Sequence, residues 1–120
     1  MLIGSPAAAV TLRSAADAAQ QGGSGHALAF ILEAIAMLLA ERGQTEAALL
    51  LAGKADALCR ELGVVRTVAQ ARVRRGLDAA LSGFDAASRA RLTAQGAATT
   101  ARQCLDMIDA NWAALERHAS

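Results

Sequence analysis

Aromatic side chains are nearly missing from this chain: Phe30, Phe84 and Trp112 are its whole complement, and there is no tyrosine. A sheet-built core draws on aromatic and β-branched residues, so this scarcity argues against one. Proline is just as rare. Pro6 is the only one, and it stands where the first turn of a helix tolerates the missing amide hydrogen. The two cysteines, Cys59 and Cys104, lie 45 residues apart and form no CxxC pair. They read as small buried hydrophobes rather than a disulfide or a reactive thiol, which points to a cytoplasmic home. The net charge is only +1. That argues against a general electrostatic role on nucleic acid or a membrane surface, both of which need a strong basic excess. No long apolar run is present either. The longest, residues 27–40, contains Glu33 and falls short of the roughly 20 residues a bilayer demands. The first ten residues lack the basic start and apolar run of a signal peptide.

What the chain does contain is alanine, its commonest residue, within a 54% hydrophobic and 19% charged composition. Such a chain folds, and its small side chains let helices approach closely. The expectation is an all-α fold of five to six helices, with antiparallel hairpins stacked as a degenerate tetratricopeptide-like array. Residues 1–25 would form a peripheral helix with a Gly/Ser loop, and residues 26–120 the helical domain.

The glycines set the boundaries. Gly43, Gly63 and Gly83 recur every twenty residues, each closing an apolar, helix-favouring stretch. A first helix over 7–21 carries a thin apolar side, and Gly22, Gly23, Ser24 and Gly25 break it. Over 26–42, Leu28, Ile31, Leu32, Ile35, Leu38 and Leu39 form one apolar face, while Phe30, Ala34 and Met37 form a second. A helix apolar on two faces needs neighbours on both, which predicts the centre of the fold. In the third helix, 46–62, Gly53 costs about 1 kcal/mol against alanine unless a crossing backbone uses the space. Helix two, as the antiparallel partner, would fill that role. Thr67-Val68-Ala69-Gln70 and Thr100-Ala101-Arg102-Gln103 are capping boxes that launch the fourth and last helices. Ala69, Val73, Leu77 and Ala80 make the expected core stripe of the fourth. Asp85 would cap a fifth helix over 86–95, with Gly96 as its terminator. Leu105, Ile108, Trp112 and Leu115 make the buried stripe of the last helix, 101–117.

One segment carries a family resemblance. Glu46-Ala47-Ala48-Leu49-Leu50-Leu51-Ala52-Gly53-Lys54-Ala55-Asp56-Ala57-Leu58-Cys59-Arg60-Glu61-Leu62-Gly63 resembles a stretch near the C-terminal end of the tetratricopeptide-like region in LuxR-type ATPase transcriptional regulators and related multidomain adenylate cyclases of bacteria. Val64-Val65-Arg66 replaces the proline-containing linker usual after that glycine. The resemblance implies a helical scaffold that receives a signal and passes it to a nucleotide-binding module lying elsewhere.

No residue cluster amounts to a catalytic signature. Gly53-Lys54 fails the phosphate-loop pattern, because Ala55 follows the lysine and Ala48 stands where the first glycine belongs. His26 and His118 have no ligand at metal spacing, and Asp106 and Asp109 fit a helix dipole or solvent better than a catalytic pair. Eight arginines between Arg60 and Arg102 face three acids, Glu61, Asp78 and Asp85, a local excess of +5. Arg66, Arg72 and Arg75 are the candidate partner-binding residues of that stretch. The sequence therefore predicts a non-enzymatic helical interaction module without cofactor or metal. Its partner would be a protein, a neighbouring domain of a larger regulator, or a second copy of itself. A small-molecule-sensing helical domain is the alternative, and arginine-mediated nucleic-acid binding ranks behind both.

Overall fold

A computed structural model describes residues 6–119, with side chains described over residues 9–113. Leu115 and His118 lie outside those side chains. Six helices follow one another: α1 (Pro6–Gln21), α2 (Gly25–Glu41), α3 (Thr45–Leu62), α4 (Val68–Ala80), α5 (Ala86–Ala97) and α6 (Ala101–Ala119). The described residues contain no strand, so the all-α class holds. No described helix is long and apolar enough to cross a membrane.

Local chemistry sets most of the boundaries. In the Thr67/Gln70 box, Gln70 Oε1 accepts from the Thr67 amide at 2.8 Å and Thr67 Oγ1 accepts from the Gln70 amide at 3.2 Å. The Thr100/Gln103 box closes in the same way at 3.0 and 3.1 Å. Asp85 caps α5 by accepting from the Ser88 amide at 2.9 Å. Ser24 does the same for Ala27 ahead of α2. Each satisfies a donor that the first helical turn leaves orphaned.

The glycine ladder is only partly a ladder of stops. Gly63 ends α3 in the left-handed region at φ 65°, its amide returning to the Cys59 carbonyl, and Gly43 is left-handed as well. Gly83 is not. There α4 has already ended at Ala80, with Leu81 as its cap. Gly96 is a correction too: it lies buried within α5 rather than ending it. A methyl group built there would overlap the Leu50 carbonyl, and one built at Gly53 would overlap the Thr93 carbonyl. Going from Leu50 to Gly53 on α3 runs from Gly96 back to Thr93 on α5, so the two helices cross antiparallel, backbone against backbone. Gly53 does offset its helix cost by a close crossing, with α5 as the neighbour instead of α2.

The core is built around the α2–α3 hairpin. Leu32, Leu38, Leu39 and Leu51 are fully buried there, joined by Leu77, Leu105 and Ile108 from α4 and α6. Each such side chain contributes about 1.5–3 kcal/mol. Alanines at 36, 48 and 55 have no exposed surface, which brings the helix axes close. Helix α1 adds Ala16 and Ala19 to the same core. Helix α4 packs on α2 and α5 packs on α3, so each returns to the central hairpin.

Candidate functional site

Of the expected α4 stripe, only Leu77 is buried. Ala69, Val73 and Ala80 are exposed, Val73 by 41%. The inward face instead runs through Gln70, Arg74, Leu77 and on to Leu81. An arginine in that position has a physical reason in Glu33, which is 1% exposed in the middle of α2. A lone buried carboxylate is costly, so it must be paired. Arg74 Nη1 meets Glu33 Oε2 at 2.8 Å, and Arg66 Nη2 reaches the same oxygen at 2.5 Å. Arg74 also forks onto Asp56 of α3 at 2.8 and 2.9 Å, and its Nε binds Asp78 at 2.9 Å. Arg66 adds a 3.1 Å contact to Asp56. Burial opposes the charge on Arg74, yet the hydrogen bonds to Glu33 and Asp56 and the field of Asp56 hold its pKa above the ordinary arginine value. For Arg66 the hydrogen bond to Glu33 leads, with the same direction.

Three carboxylates and two guanidiniums thus tie together α2, α3, α4 and the linker between α3 and α4. Both Glu33 oxygens accept from arginines. A carboxylate held this way is occupied as an acceptor and serves the fold. It marks the residue that sequence reasoning missed: Glu33 served there only to interrupt an apolar run.

The three candidate arginines part company. Arg66 is turned inward onto Glu33 and Asp56, whereas Arg72 and Arg75 are exposed on the outer side of α4. Around them stand four of the five large hydrophobic residues that are exposed among the described residues. Val65 is 87% exposed and Val68 74%, with Leu62 and Val73 less so. These four fall within twelve residues of chain.

Two concavities complete the inventory. A cleft of about 280 Å³ opens between α1, α2 and α6, lined by Val10, Ile35, Leu38, Ile108 and Trp112 among others. It falls beside the thin first helix. Its edge is closed by Arg13, which donates to Asp109 at 2.7 and 3.0 Å, and Arg42 lies 5.4 Å from the centre of the Trp112 ring. Asp109 is therefore an interhelical tie, and Asp106 pairs with Arg102 on the surface of α6. The second, of about 300 Å³, lies between α3, α4 and α5 over the ion network, with Asp56, Arg74, Asp78 and Arg89 on its walls.

Cys59 and Cys104 are free and buried, and burial pushes both thiols up from the ordinary cysteine value. They are protonated at neutral pH and poor nucleophiles. Among the described residues no three His, Cys, Asp or Glu side chains converge to hold a metal ion. No protein-family model, curated protein or solved structure matches this chain.

Proposed function

We propose that this chain is a non-catalytic helical interaction module of the tetratricopeptide-like kind, serving regulation within a bacterial signalling or transcriptional protein. One observation carries the reading: Ala69, Val73 and Ala80, three of the four α4 residues that the sequence pattern marks for burial, are exposed, and so are Val65 and Val68 just before them in the chain. Exposed apolar side chains scattered singly are ordinary, whereas several on one helix and the linker leading into it suit an interaction surface. The likeness of residues 46–63 to the tetratricopeptide-like region of LuxR-type regulators supports the regulatory setting. A photo-cross-linking residue placed at position 65, in the cell that makes the protein, tests the reading. A discrete protein adduct is expected there and none from the exposed position 87 on α5. Adducts of equal abundance from both positions, or from neither, would sink it.

A second reading, small-molecule sensing, draws on the cleft between α1, α2 and α6. Its volume and apolar walls suit a compact hydrophobic ligand. Trp112 lines that cleft and reports on it. Quenching or enhancement of its fluorescence by small hydrophobic compounds, together with a raised melting temperature, is the expected result. No change in either signal at millimolar ligand disposes of this alternative.

A further inference from the structure

We infer that the outer face of α4 docks an acidic amphipathic helix of a partner protein; this rests on the interaction reading above and names its partner's chemistry. The first argument is geometric. Ala69, Val73 and Ala80 recur on one flank of α4, with Val68, Arg72 and Arg75 on the adjoining face, and all six are exposed. The apolar members form a strip along a helix of 13 residues, about 20 Å long. Small residues within it leave room for another helix to lie close. The described residues offer no strand edge, so an added β-strand has nothing to pair with.

The second argument is preorganisation. Val65 sits in a linker fixed at both ends: Gly63 closes α3 in the left-handed conformation, and Arg66 is bolted to Glu33 and Asp56. Thr67 then starts α4 with a complete capping box. An apolar knob held in this way loses little further freedom on binding, which favours affinity.

Charge selects the partner. Glu33, Asp56 and Asp78 are taken up by Arg66 and Arg74. Arg72 and Arg75 have no ion pair among the described residues, and Arg60 is exposed in the last turn of α3. The inner network consumes the acids, and the outer face is left basic around an apolar strip. Glutamates flanking the apolar side of a partner helix complement it. An anionic bilayer would also meet arginines and valines. A juxtamembrane patch of that kind, however, uses about four to eight basic residues, more than this face carries.

The test pans a displayed library of 18-residue helical peptides, random at the positions flanking an apolar stripe, on the full chain. Acids should rise about tenfold at the flanking positions. The enriched peptides should lose about tenfold in affinity for V65D/V73D, and R72E/R75E should turn the preference toward lysine. Because Val73 is half-covered, circular dichroism checks the first variant, and the fully outward R72E/R75E pair carries the test if that variant unfolds. Enrichment of neutral or basic flanks, no enrichment, or affinity unchanged in R72E/R75E overturns the inference. So does tighter binding to vesicles of phosphatidylglycerol and phosphatidylcholine than to the selected peptides. If any of these results accompanies a discrete protein adduct at position 65, the acidic-helix assignment fails while the interaction reading stands; if the adduct is missing too, both fail.

Discussion

Helices α3 and α4 are neighbours in sequence, yet different forces hold them. Helix α3 is buried nearly all round by alanine, leucine and a glycine, and it meets α5 at backbone contact. Helix α4 buries one side chain fully, Leu77, and is otherwise fastened through Arg74 to Glu33 and Asp56. Shape fixes the first helix and charge fixes the second. Apolar burial is non-directional, so any smooth helix could slide on its neighbour. A forked guanidinium on a buried carboxylate sets both position and rotation. Holding α4 by arginine also frees its apolar flank from core duty, which is why that flank is exposed.

The comparison breaks most severely at the α3–α5 crossing. Gly53→Leu places a branched side chain where the Thr93 carbonyl sits, and the chain should fail to fold cooperatively. Loss of the melting transition by circular dichroism is the expected reading. Gly83→Ala, at a position where an added methyl group meets nothing, is the control.

Next comes the charge anchor. Glu33→Ala leaves two arginines without their buried partner and should cost about 3–5 kcal/mol in chemical denaturation. Glu33→Leu combined with Arg74→Met exchanges ions for apolar contact. It should recover much of that stability, yet leave α4 less fixed in rotation, seen as faster amide exchange in α4 than in α3. Equal exchange in the two helices would contradict the division between shape and charge.

The smallest effect concerns the cap that follows α4. Asp85 is fully exposed, and hydrogen bonding to Ser88 holds its carboxyl below the usual carboxylate value. A lowered folded-state pKa means that its contribution is present above the ordinary aspartate range. That contribution is lost as the pH falls through the lowered value. Asp85→Asn should therefore flatten the acid limb of the stability profile slightly, lowering stability a little near neutrality and converging with the parent chain in acid.

Much of this architecture is legible along the chain. Thr67 and Gln70, Thr100 and Gln103, and Asp85 are signals read over three residues, and each forms the bond its spacing implies. The core leucines of α2 follow from helical period in the same way. The α4 face does not. Its apolar stripe and its true inner face overlap at Leu77, and the choice between them depends on Glu33, which lies 41 residues before Arg74. Gly96 resembles a stop because helix termini favour glycine, and only the neighbour at Leu50 reveals it as a crossing point. The surface around Arg72 and Arg75 was half visible: the residues were in view, while Arg66 had to be seen turning inward.

By itself, then, the sequence determined the helices and most of their ends, since caps, left-handed glycines and apolar periods act through bonds within a few residues. Tertiary structure decided which way α4 faces, which glycines are contacts, and which arginines stay exposed. Those outcomes depend on distant groups competing for the same buried charge and space. A carboxylate in a dry core attracts whichever guanidinium the fold can deliver, and no local pattern records that.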